Sequence, residues 1–242
     1  MTAVEQPATI PITALDVGRI VVRPMYVSFD IPEMNRHGKA FAGFWLKTMF
    51  ISPVSTDFQV RALCTMYMRL VDAALLEYAM GREALLQFWN THSGIALGAM
   101  HQSVSHFEHC LSDTHRAIQV FSRLRRHRQA GNLGRLLNDP RPDLSKAKFS
   151  NKLRNIRNEI HHIEEVLMDG RLGDGNPLML KADGHETPHP TEPNQTNKLI
   201  DRLQVGSREL LFTELASALN EMACLCEKVA DTVPNSGPAS SA

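Results

Sequence analysis

The sequence predicts an all-α fold, an up-and-down helical bundle with a small β-hairpin insertion before its last helix. Three observations predict it. Apolar residues recur at helical spacing over long stretches near 58–78, 95–128 and 150–168. Good capping residues stand before several of these stretches. Strand-like patterning is short and confined to small parts of the chain. With 242 residues and 43% hydrophobic composition, the chain is long enough to bury one sizeable core.

Taken in order, residues 1–54 read as an N-terminal extended or irregular arm, 55–233 as the helical bundle and 234–242 as a disordered tail. Residues 1–14 are rich in Pro and Thr. Residues 20–29 are β-prone, but Pro24 demotes them to an edge strand or an extended arm. A short helix is expected at 39–48. Ser55, Thr56 and Asp57 are caps for a helix whose wide apolar face holds Phe58, Val60, Leu63, Met66, Tyr78 and the residues between them at the same spacing. Gly81 reads as its stop, with residues 82–91 forming a separate short helix.

A long helix over about 95–128 carries Leu97, Met100, Phe107, Leu111, Ile118 and Leu124, with Val120 off the stripe. Residues 129–146 contain Gly131, Gly134, Pro140 and Pro142 and read as a loop with one turn. Ser145 or Ser150 caps the next helix, which Asp169 and Gly170 close. Residues 171–196 read as irregular with a short strand at 178–181. Residues 199–211 read as a hairpin turning at Gly206 and Ser207. Thr213 caps a last helix over about 214–231, built on Leu215, Leu219, Met222 and Val229. Met66, Met80, Met100 and Met222 fall at or near core spacing and read as core filling.

Composition excludes several classes. No run of 18 apolar residues exists, so no transmembrane helix and no membrane partner are expected. The N-terminus lacks the pattern of a secretory signal. Four cysteines (Cys64, Cys110, Cys224 and Cys226) are too few for a disulfide scaffold, so reduced thiols and a cytoplasmic location are expected, with Cys224 or Cys226 packing. No Gly-rich phosphate loop or dinucleotide fingerprint is present, and no cofactor is expected. The balanced charge of 26 basic and 26 acidic residues hides an asymmetry. Residues 123–157 carry 11 Lys and Arg against two acids, leaving 15 against 24 elsewhere. A basic segment in an otherwise acidic chain fits either a polyanion partner or a solvated helix end and loop.

The most specific stretch is Arg154-Asn155-Ile156-Arg157-Asn158-Glu159-Ile160-His161-His162-Ile163-Glu164-Glu165. Apolar Leu153, Ile156, Ile160, Ile163 and Leu167 are interleaved with its polar residues, which suggests a helix with a buried stripe and a polar working edge. Arg157 and His162 stand about 140° apart around a helix axis, so one molecule brings them only loosely together. A two-fold partner laying the same helix alongside gathers two copies of Arg157, Asn158 and His162 in one cleft.

This segment resembles the HEPN superfamily, the higher eukaryote and prokaryote nucleotide-binding helical domain. Its signature is an arginine, a polar residue such as asparagine, and a histidine four to six residues beyond the arginine. Arg157 to His162 meets it with the shortest spacing, and Arg154 to His161 with the longest. The first pair is preferred because it looks like the commoner Arg-Asn-x-x-x-His form. The resemblance implies a homodimer and, in catalytically competent members, metal-independent RNA cleavage, with Arg157, Asn158 and His162 as catalytic residues. Arg125, Arg126, Arg128, Lys152 and Arg154 are then RNA-binding candidates. It further implies a setting in bacterial defence or a toxin–antitoxin pair, with an antitoxin or other protein partner.

Three other readings stay open. The same helix also serves a non-catalytic interaction or dimerisation protein, with Arg157 paired to a glutamate. Glu159 and His162 have the Glu-x-x-His spacing of di-iron bundles, but the other instance, Glu186 and His189, lies in a Pro-rich stretch, which disfavours that site. His106, His109 and Cys110 have metal-compatible spacing on the long helix, though packing and surface roles are commoner. His185 and His189 read as solvated.

Overall fold

In the computed structural model, residues 10–12, 25–34, 38–50, 53–90, 97–139, 142–145, 147–168, 179–192 and 195–233 are described. The expectations for residues 1–9, for the closing pair Asp169 and Gly170, and for the tail after residue 233 lie outside them. The order of elements starts with strands β1 (Ile10–Ile12) and β2 (Met25–Phe29). Helices α1 (Gly38–Phe50), α2 (Phe58–Asn90) and α3 (Leu97–Leu124) follow. After a 3₁₀ turn at Arg128–Ala130 come α4 (Gly131–Leu136), a second 3₁₀ turn at Asp143–Ser145 and α5 (Ala147–Met168). Strands β3 (Lys181–Asp183), β4 (Glu186–Pro188), β5 (Thr196–Ile200), β6 (Arg202–Val205) and β7 (Arg208–Leu211) precede the last helix, α6 (Phe212–Asp231).

The helical character agrees with the sequence, but the β content exceeds a small hairpin. The described strands form two sheets, of order β1-β2-β5-β4 and β3-β6-β7. The hairpin at Gly206 and Ser207 is present as β6 and β7, paired antiparallel from Arg202 opposite Leu211 to Val205 opposite Arg208. The larger departure is β2. It runs parallel to β5, with Met25 opposite Thr196 and Phe29 opposite Ile200, and antiparallel to β1 on its other side. It is therefore an interior strand, not an edge strand. Pro24 precedes the first paired residue, so its missing N–H removes no ladder bond within β2.

The segment after β2 is fastened to α2. Tyr78 Oη donates to the Pro32 carbonyl at 2.9 Å, and Arg82 Nε donates to the Ile31 carbonyl at 3.2 Å. Val27, Ile31, Met34, Phe41 and Phe44 from this part of the chain join the core.

α2 and α3 form a long antiparallel pair. Gln59 bonds His127 at one end, Tyr67 meets Phe121, Tyr78 meets Phe107, and Ser103 donates to the Gly81 carbonyl at the other end. Asp57 caps α2, its Oδ1 accepting from the Val60 N–H at 2.8 Å. Gly81 does not stop this helix. A Cβ at Gly81 would lie 3.2 Å from three ring carbons of Phe107, so the glycine allows close approach of α3. The helix continues unbroken to Asn90, and no separate helix starts at 82.

The apolar stripes are also redistributed. Met222 is fully buried, but Met66 and Met80 are about 40% exposed on the stripe that also holds Arg69, Leu76 and Glu83. Phe58 at 73% and Leu97 at 48% exposure stand at helix starts. Val120 is buried, on a helix that packs against α5 and the turn before it as well as against α2. α3 ends at Leu124, with Arg123 in its last turn, and Arg125 and Arg126 lie in the turn that follows.

α6 starts one residue before Thr213, which is an exposed residue of its first turn and not its cap. Glu214 Oε2 accepts from the Leu211 N–H at 3.3 Å in that role. Phe212, Leu215, Leu219, Met222 and Val229 of α6 are fully buried, and Tyr67 Oη donates to the Met222 carbonyl at 3.3 Å.

Candidate functional site

α5 carries the motif, and its local fold follows from its pattern. Leu153 and Ile156 are buried and Ile160 is partly buried against the core. The side chains of Ile163 and Leu167 lie outside the described ones. Ser150 sits inside the first turn and is not the cap; Ser145 lies in the 3₁₀ turn before the helix. Arg154, Asn158, His161, His162 and Glu165 are exposed, so the polar working edge expected from sequence is present.

Two contacts set the orientation of this edge. Glu159 reaches the β6–β7 turn. Gly206 there has φ +53°, and a Cβ on it would lie 2.7 Å from Glu159 Oε1. The glycine thus serves the left-handed backbone and leaves room for the Glu159 side chain. At the other end of α5, Lys152 forms an ion pair with Glu214 of α6, whose carboxylate also accepts from the Leu211 N–H.

Arg157 is half-buried, and its Nε is enclosed without a hydrogen-bond partner among the described residues. No ion pair with a glutamate neutralises it among those residues, since Glu159 faces Gly206 and Glu165 bonds His162. An enclosed donor left unpaired costs about 1–3 kcal/mol. His162 is exposed, and its Nδ1 lies 2.9 Å from Glu165 Oε2. No bond joins Arg157 to His162 among the described residues, as the i, i+5 spacing leads one to expect.

A buried histidine that the sequence reading does not single out lies beside this helix. His115 of α3 is 5% exposed. Burial pushes its pKa down, and the charges of Arg157 and Arg154 push it the same way. The amide nitrogen of Gln119 donates to His115 Nε2 at 3.4 Å, which assigns the ring proton to Nδ1 in the neutral form.

Gln119 also lines a groove of 660 Å³ with Ser122, Arg123, Arg126, Arg128 and Ser150. No carboxylate lines it among the described residues. Of the candidate RNA contacts, Arg126 and Arg128 belong to this groove. Arg125 instead turns to Asn138, donating through Nη1 at 3.4 Å, and stacks over Phe121 at 5.9 Å. Arg154 is exposed on α5, and Lys152 is held by Glu214 on a different side. His115, Gln119, Ser122 and Arg126 are spaced by three or four on α3 and its end. That polar stripe is a signal in the sequence, but Ser150 joins it only through the packing of α5 on α3.

The other constellations do not assemble. His106 Nδ1 bonds Glu77 Oε2 at 2.7 Å, with His109 Nδ1 at 4.0 Å, while Cys110 turns into the core. No group of three His, Cys, Asp or Glu able to hold a metal occurs among the described residues. His189 is not simply solvated: it is half-buried, and its ring centroid lies 4.8 Å from that of Tyr26. Cys226 is buried and Cys224 exposed. No described helix is long and apolar enough to cross a membrane. No protein-family model matches the chain, and neither the curated proteins nor the solved structures contain a match to it.

Proposed function

We propose that this chain is a HEPN-like RNA-binding protein and a metal-independent endoribonuclease, with Arg157 and His162 acting together across a homodimer. The observation that carries this reading is Arg157, a guanidinium with an enclosed, unpartnered Nε, beside an open helix edge bearing Asn158 and His162. A phosphodiester meets the Nη groups of this half-buried cation, which no ion pair neutralises among the described residues.

RNA brings its own nucleophile, the 2′-hydroxyl. One imidazole takes the 2′-proton as that oxygen bonds to phosphorus, and a protonated imidazole from the second copy gives a proton to the departing 5′-oxygen. A 2′,3′-cyclic phosphate and a 5′-hydroxyl result. Arg157 holds the non-bridging oxygens as charge grows on them, and Asn158 orients the phosphate by hydrogen bonding. The Glu165 carboxylate suits this role for His162. A bond from Nδ1–H to the carboxylate leaves the lone pair on Nε2, facing outward.

The second reading is a non-catalytic helical interaction protein. It is favoured by Leu46, Met49 and Phe50, which stand on one side of α1 at 59%, 73% and 79% exposure. Such a patch suits a partner protein, an antitoxin or a second copy. Incubation of end-labelled RNA with the purified protein in EDTA separates the two. Fragments ending in cyclic phosphate support the nuclease, uncut RNA supports the interaction protein, and cutting that leaves 3′-hydroxyl ends contradicts the 2′-hydroxyl chemistry.

A further inference from the structure

We infer that the groove between the C-terminal end of α3 and the start of α5 is a track for the RNA sugar–phosphate backbone, one that reads no bases and leads the strand to Arg157. The inference rests on the RNA reading above and adds a binding surface and a mode of recognition to it. Arg123, Arg126 and Arg128 are exposed along the groove, form no ion pair among the described residues and face no lining carboxylate. Free cations spaced along a channel are what a chain of phosphates neutralises. Gln119, Ser122 and Ser150 add neutral donors suited to phosphate and ribose oxygens.

What the groove lacks is equally informative. Among the described residues no Phe, Tyr or Trp lines it, so the broad ring platforms on which bases stack are missing there. The one ring among its described lining residues, His127, has both nitrogens taken, so it has no free hydrogen-bonding atom to read a base edge: Nε2 donates to Gln59 Oε1 at 3.0 Å, and Nδ1 accepts from the Gln129 N–H at 3.3 Å. Direction comes from Gln119. Its amide lines the groove and also touches His115, the buried ring flanked by Arg154 and Arg157 on α5. A strand lying along the arginines therefore runs towards Arg154 and Arg157 at that end. Outside residues 123–157 the chain carries 15 basic against 24 acidic residues, which favours a polyanion on the side of the molecule that this segment builds.

The test is fluorescence polarisation with labelled single-stranded rU, rA and mixed-sequence oligonucleotides of equal length. Wild type is compared with the triple variant Arg123→Gln, Arg126→Gln, Arg128→Gln across about 50–200 mM salt. All three positions are exposed, and equal melting temperatures confirm that the variant folds. The variant should bind roughly tenfold or more weakly, with its salt slope shallower by about 2, from about 0.7 per lost phosphate contact on a single strand. The three oligonucleotides should bind wild type alike. Undiminished RNA binding by the variant overturns the track while leaving the RNA reading standing. A clear preference between rU and rA overturns the claim that bases are not read. Capture of a poly-glutamate peptide in place of RNA, dependent on the same arginines, overturns it in favour of an acidic protein partner. Absence of RNA binding by wild type at the lowest salt removes both the track and the RNA reading.

Discussion

Gly81 shows at the level of one residue what a local pattern conveys and what it omits. A glycine after an apolar stripe reads as a helix stop, and only the approach of Phe107 from α3 explains why it stands in mid-helix. Phe107 is 1% exposed and wedged against Tyr78 and Phe212, so it has little room to yield. Gly81→Val should therefore lower stability by about 1–3 kcal/mol despite removing a helix-interior glycine. Chemical denaturation checks it; an unchanged or raised midpoint contradicts the close packing.

Asp183 gives a pH signature at the same scale. Burial works to raise its pKa, but hydrogen bonds from Lys181 and Lys198 and from the Gly184 N–H outweigh burial and bring it down to about 2. Its ionised form is thus favoured by folding. The stabilisation is full above the ordinary carboxylate range near 4 and fades as pH falls from there towards 2. The melting-temperature difference between wild type and Asp183→Asn should shrink over that window; a difference constant from pH 6 to 2 contradicts the assignment.

Among the elements, the helices were legible because their information is local: spacing, Asp57 as a cap, and apolar faces such as Leu215 to Val229. The sheets were not. β2 and β5 pair Met25 with Thr196, and no short pattern in either segment announces a partner so distant. Asp183 again illustrates the point, since its carboxylate joins Lys181 of β3 to Lys198 of β5, and so links the two sheets. The loop before α5 is fastened in a similarly non-local way. Glu221 of α6 accepts from the Asp143 and Leu144 N–H groups, each at 2.7 Å. Loss of these bonds in Glu221→Ala should cost about 1.5–3 kcal/mol and free the 3₁₀ turn that leads into α5. Hydrogen exchange reads this directly: faster exchange at residues 143 and 144 is expected, and unchanged protection there contradicts the anchor.

For the molecule as a whole, the candidate site divides along the same line. The working edge of α5, from Arg154 to Glu165, was visible in one stretch of sequence because a single helix presents it. Its second half was not. His115, Gln119 and Arg123 belong to α3, and only the packing of α5 on α3 brings Ser150 and the motif arginines beside them. The basic excess of residues 123–157 was visible as a number, while its distribution was not. Arg126 and Arg128 share the groove, Arg125 turns to Asn138, and Lys152 is held by Glu214.

The central claim concerns what α5 does when RNA is present, and one comparison tests it most directly. The rate of RNA cleavage in EDTA is measured for wild type, Arg157→Ala and His162→Ala, each verified as folded by its melting temperature. Metal-free cleavage by wild type, falling by about 10²-fold or more in both variants, is the expected result. Cleavage that persists at the wild-type rate in either folded variant, or that EDTA abolishes, would contradict it.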